Sequence, residues 1–277
     1  MRALAVDWSG KAQGAERSIW LAEAREGQLV VLECGRTREQ LISHLIELAR
    51  ADPEIVVGLD FAFSFPRWWC EARGWANARE VWSAMAAEGE QLLARCEPPF
   101  WGRPGKQRPD QDGRRQTELE GERGLAKSVF QVGGAGAVGT GSIRGMPYLL
   151  RLAEEGFKVW PFDPVGWPCV VEIYPRALTG EVNKSNHATR LAYLHAKFPD
   201  LDAGDVAVAA GSEDAFDAAV SALVMDRHRT EFDALEEAYG TPHAIEGAIW
   251  RPIQATGAQP TSHGALRQTR RVPQARR

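Results

Sequence analysis

Residues 55–60 read IVVGLD. A continuous apolar run of this length, closed by an acid, predicts a central buried strand over Ile55–Leu59 that ends at Asp60. The preceding sequence supplies its neighbours. Arg2–Val6 is a short apolar strand ending at Asp7. Ser18–Ala24 and Leu29–Glu33 follow as two strands joined by a hairpin-like EGQ turn. Thr37 caps a helix running to about Arg50, with Leu41, Leu45 and Leu48 on one side, and Asp52-Pro53 stops it. The first 60 residues therefore predict three strands, a helix and a strand, with acids at the C-terminal ends of two strands.

Downstream the pattern changes. Residues 61–150 read as an insertion: a Trp-rich helical cap with Trp68, Trp69, Trp75, Trp82 and Trp101, then the loop PPFWGRPGKQRPDQDGRRQTELEGERG. Burial in the cap is the expected fate of the tryptophans, over stacking on bases. KSVFQVGGAGAVGTGSIRGMP, at 127–147, follows. Gly134, Gly136 and Gly139 match a dinucleotide-binding fingerprint. A strand-like SVFQV lies ahead of them, a helix to Glu155 behind, and FKVW then reads as a strand with Asp163 after it. The competing reading is a Gly-rich loop making close backbone contacts, since Gly145 and Pro147 interrupt the helix start. Cys169–Tyr174 is a buried strand carrying Glu172, which needs a salt bridge (to Arg176 or Arg144) or a metal. Residues 187–197 form a helix. In SEDAFDAAVSALVM, at 212–225, Ser212 caps another, whose Asp214 and Asp217 share a face. Glu231–Tyr239 makes a last short helix.

A hydrophobic content of 44% over 277 residues suits one domain with a sizeable core, here residues 1–252. The net charge of −4 excludes a whole-chain nucleic-acid signature. Residues 253–277 hold five Arg and no acid, so the body alone carries −9. This tail reads as disordered, either touching nucleic acid or simply solvated. Four scattered cysteines without C-x-x-C argue against zinc and disulfides and predict a reduced, cytoplasmic setting. The N-terminal strand reads as part of the fold, not a signal peptide. No H-E-x-x-H, G-x-S-x-G or P-loop occurs.

Asp7 and Asp60 at strand ends, with Asp214 and Asp217 on a late helix, form a carboxylate set without His or Cys. Such a set suits Mg²⁺ or Mn²⁺. Five segments in order, VDWSGK (6–11), GLDFAFSFP (58–66), the Gly-rich run, VEIYPR (171–176) and EDAFDAAVSAL (213–223), resemble the family known as domain of unknown function 429, a predicted RNase H-like nuclease family. The resemblance covers roughly residues 1–250. It implies an α/β fold with an RNase H-like mixed sheet flanked by helices and a metal site. Asp7 would be the first-strand acid, Asp60 the fourth-strand acid and Asp217, with Asp214, the last-helix acid. Glu172 stands in a strand motif of the family itself.

The function expected is metal-dependent hydrolysis of a phosphodiester in nucleic acid or a small phosphoester. An NAD(P)-binding oxidoreductase and a non-catalytic RNase H-like nucleic-acid-binding module are the alternatives. A sugar-kinase-like ATPase needs two such domains, and the chain is too short for them. To seat a polyanion, Lys11, Arg114, Arg115, Lys127 and Arg144 are the expected contacts, with Arg103, Lys106 and Arg108 beside them. Backbone N–H groups of Gly133–Gly141, Gly134 and Gly136 among them, would add a phosphate nest. Residues 100–145 are expected over the acids, partly mobile without substrate.

Overall fold

The computed structural model describes residues 1–120 and 126–253. The basic tail from 254 onward and residues 121–125 of the insertion lie outside the described residues. Three strands, β1 (Arg2–Asp7), β2 (Trp20–Arg25) and β3 (Gln28–Cys34), form an antiparallel meander. β4 (Ile55–Leu59), β5 (Lys158–Val159) and β6 (Cys169–Glu172) add parallel pairings, giving one mixed sheet in the order β3-β2-β1-β4-β6-β5. Ten helices accompany it among the described residues: α1 (Arg38–Ala51), α2 (Arg67–Ala72), α3 (Ala78–Arg95), α4 (Gln116–Glu120), α5 (Gly139–Glu154), α6 (Pro175–Thr179), α7 (His187–Lys197), α8 (Ala203–Gly211), α9 (Glu213–Arg227) and α10 (His243–Glu246). No helix among the described residues is long and apolar enough to cross a membrane.

Alternation along the strands sorts the sheet into two faces. Leu4, Val6, Val57, Leu59 and Val170 meet α1, α3 and α5 through Leu41, Leu45, Trp82, Met85, Ile143 and Met146. Ala3, Ala5, Val56 and Val171 meet α7, α8 and α9 through Leu194, Val206, Phe216 and Val220. Local signals place the helices. Thr37 and Gln40 make a reciprocal capping box on α1, and the Ser212 hydroxyl accepts from the Ala215 N–H at 3.0 Å to start α9. Every α9 residue from Ala215 to Asp226 is buried, Asp217, Ser221 and Asp226 among them, so this helix is a core element rather than an amphipathic cover. Gly58 permits its close seating: a Cβ there would lie 2.7 Å from the Met225 Sδ.

Several expectations need correction. Ser128–Val132 is not a strand; only an isolated bridge joins Gln131 to Trp101. The strand expected at 157–160 shrinks to two residues. Asp163 beyond it is buried, accepts from the Val159 N–H at 3.0 Å and pairs with Arg79. α5 runs through both Gly145 and Pro147; Gly145 is required because a Cβ would strike the Phe61 ring at 2.7 Å. In place of a helix over 231–239 there is a 3-10 turn at Arg229–Ala234. The aromatic residues of the expected insertion are continuous with the sheet's own core. Phe61, Phe63, Phe65, Trp69, Trp82, Phe100 and Phe130 are all buried in the cluster that holds Leu4 and Val57.

Candidate active site

β1 and β4 pair in parallel with Val6 opposite Leu59, and the Asp60 N–H donates to the Val6 carbonyl at 3.1 Å. Asp7 and Asp60 are therefore the next neighbours, on strands spaced about 4.8 Å apart. Strand alternation aims both at the face of Ala3, Ala5 and Val56, which α9 covers. From that helix Asp217, and Asp214 one turn earlier, lie near enough for their charges to act on the Asp7 carboxyl, and that of Asp217 on Asp60. The acid in the apolar helix is thus an acid facing two others across the end of the sheet.

The electrostatics record the crowding. Burial first, and then Asp217, push the Asp60 carboxyl up to about 8, against the pull of Lys184. Burial also lifts Asp7 well above the usual carboxylate range, with Asp60, Asp217 and Asp214 adding to it. Asp217 and Asp214 are raised too, chiefly by burial. One cation answers this cluster directly: the Lys184 ammonium lies 2.5 Å from Asp217 Oδ2. The other oxygen, Oδ1, is buried with no hydrogen-bond partner among the described residues. Lys184 escaped the sequence reading because it sits in an aperiodic loop, GEVNKSN, that nothing local ties to the acids.

In kind, these donors fit a hard divalent cation: all are carboxylate oxygens, and one is orphaned in a buried site. In spacing they do not yet form a ligand cage. Among the described residues no group of three or more His, Cys, Asp or Glu could hold a metal ion.

Glu172 belongs elsewhere. By alternation it shares the face of Val170, opposite Asp7 and Asp60, so its expected metal role gives way to a salt bridge. The partner is Arg115, not Arg176 or Arg144. Arg115 binds both Glu172 oxygens, donates from Nε to Glu118 at 3.0 Å and reaches the Glu246 carbonyl at 3.0 Å. Burial alone would lower this guanidinium's pKa, but Glu172 and Glu118 outweigh it and leave it raised. At 1% exposure Arg115 is a structural ion, and its expected phosphate contact is corrected on that ground.

The other expected contacts divide. Arg114 is held by Asp112, and Arg144 by Glu90 and the Gly10 carbonyl, so each already has anionic or carbonyl partners. The Lys11 ammonium contacts the Ser18 hydroxyl and pulls against the burial that raises the Asp214 carboxyl. Lys127 is exposed and lines a pocket of about 200 Å³ that also touches Trp8, Asp60, Gly141 and Glu172. Gly134 and Gly136 hold positive φ, and a Cβ at Gly136 would sit 3.6 Å from the Lys127 stem. Nearby, a Cβ at Gly10 would lie 2.6 Å from the Gly141 nitrogen. The glycine run is thus a close-packing loop that brings the start of α5 against the loop after β1, with no strand ahead of it to complete a dinucleotide fingerprint.

No family model, no curated protein and no solved structure matches this chain.

Arg115→Met leaves Glu118 and Glu172 buried without their counter-ion, so urea unfolding should show a loss of about 3–5 kcal/mol; a loss below about 1 kcal/mol would contradict this. Asp60 has a folded pKa above its unfolded value near 3.8, so the folded state binds the extra proton between the two. Its contribution to stability therefore falls as pH rises from about 4 to about 8. With chelator present, Asp60→Asn should gain on the native protein across that window by up to about 1.4 kcal/mol per pH unit. A difference that stays flat with pH would refute the raised pKa.

Proposed function

We propose that the protein is a divalent-metal-dependent phosphodiester hydrolase of RNase H-like design, with a nucleic acid or a small phosphoester as substrate. One observation carries the proposal: Asp7 and Asp60 end adjacent parallel strands on the face where α9 delivers Asp217, and the buried Asp217 Oδ1 lacks a partner among the described residues. The meander β1–β3, the crossover through α1 to β4 beside β1, and a late acidic helix against that sheet are in keeping with the RNase H-like arrangement.

Asp7, Asp60 and Asp217 would hold the cation, Mg²⁺ or Mn²⁺. When bound, it supplies an activated water and neutralises charge on the leaving oxygen. The chain's own groups do the rest. Burial pushes the Asp60 carboxyl up to about 8, so near neutrality a cation taken up there must displace its proton, and occupancy rises with pH. Lys127 beside the pocket and Lys11 beside Asp214 offset the acidic body where an anionic substrate must enter. The closed packing of Gly10 on Gly141 keeps the walls of the site fixed.

The test is hydrolysis of single-stranded RNA, single-stranded DNA and bis(p-nitrophenyl) phosphate with Mn²⁺ or Mg²⁺. At least one should be cleaved, with the rate abolished by chelator and lowered about 100-fold or more in Asp7→Asn and Asp217→Asn, as expected for removing a group that stabilises transition-state charge. Absence of metal-dependent cleavage on all three, or unimpaired variants, would refute the proposal.

A further inference from the structure

We propose that Lys184 is an internal counter-cation that competes with the divalent ion for Asp217, an inference that rests on the metal-dependent reading above. Its ammonium stands 2.5 Å from Asp217 Oδ2, on the acid that faces Asp7 and Asp60. Both side chains are largely withdrawn from water, at 18% and 12% exposure, so the contact is little screened.

The loop that presents Lys184 is anchored. Arg190, on α7, is buried at 5% exposure and donates one guanidinium N–H to the Lys184 carbonyl and another to the Ala210 carbonyl at 2.8 Å. From α6, Arg176 donates to the Val182 carbonyl at 2.8 Å. Two arginines thus fix the backbone on both sides of one lysine, which separates this contact from a chance ion pair on a free surface chain.

The consequence is a site with two cationic states. Without metal, the lysine neutralises part of a carboxylate cluster that would otherwise repel itself apart. A divalent ion can attach first to Oδ1, which has no partner among the described residues, and then competes with the ammonium for the charge of the same carboxylate. Lys184 therefore weakens metal affinity and stabilises the metal-free fold. It is a positioning residue, acting on the reaction only through the carboxylate it holds.

Calorimetric titration of Mn²⁺ into the full chain tests this. Lys184→Met and Lys184→Gln should each bind Mn²⁺ about tenfold or more tighter than the native protein, the scale on which partners of a ligand tune metal affinity. Lys184→Arg keeps the charge and should stay within about threefold of the native value. The melting temperature without metal should fall in the Met and Gln variants and recover when Mn²⁺ is added. Native-like or weaker affinity in both neutral variants, with the native protein binding Mn²⁺, overturns this inference alone. No Mn²⁺ uptake by any of the four proteins overturns it together with the metal-dependent reading.

Discussion

Two carboxylates stand at the ends of neighbouring parallel strands, and the rest of the structure is arranged around that fact. The pairing of Val6 with Leu59 leaves Asp7 and Asp60 no way to part except by distorting the sheet. Like charges this close, in a partly buried place, demand either protons or a cation. The fold supplies a lysine from the loop after α6, held by two buried or half-buried arginines, and a third acid from α9 whose second oxygen is unpaired among the described residues. The burial of α9 from Ala215 to Asp226 explains how that acid is held in place: this stretch has no solvent face onto which Asp217 could turn.

The opposite face solves a different charge problem. Arg115, from the start of α4, gathers Glu118 and Glu172, while Glu246 accepts the backbone N–H groups of Arg67 and Gln116. The Trp250 N–H then closes on the Glu172 carbonyl at 2.8 Å. A buried ionic network of this kind contributes little net stability over an apolar replacement, yet removing one member is costly. It ties α2, α4, α10 and the end of the described chain to β6, and so forms one wall of the pocket that also touches Asp60.

Much of this was legible in the sequence, for reasons local to each element. The four strands of the first 60 residues and the helix between them follow from apolar runs, the Thr37 cap and Pro53. The α9 start follows from Ser212, and the odd placing of Asp217 in an apolar helix pointed to the site. What failed depends on long-range partners. Glu172 has the same local context whichever face it takes; only the register of β6 on β4 decides, and it turns the acid away from Asp7. Arg115 looks like any arginine in a charged loop until a partner 57 residues later encloses it. SVFQV has strand composition, but its neighbours offer it no sheet edge. Lys184 lies in a segment with no periodicity, and its partner Asp217 stands 33 residues further along the chain.

The central claim is that Asp7, Asp60 and Asp217 form one cation site, and a crystal soaked in Mn²⁺ addresses it most directly. The account predicts an anomalous peak bonded to Asp217 and to at least one of Asp7 and Asp60, with the Lys184 ammonium displaced from Oδ2. A well-ordered site in soaked crystals that shows no peak among these acids, with Lys184 still on Asp217, would contradict it.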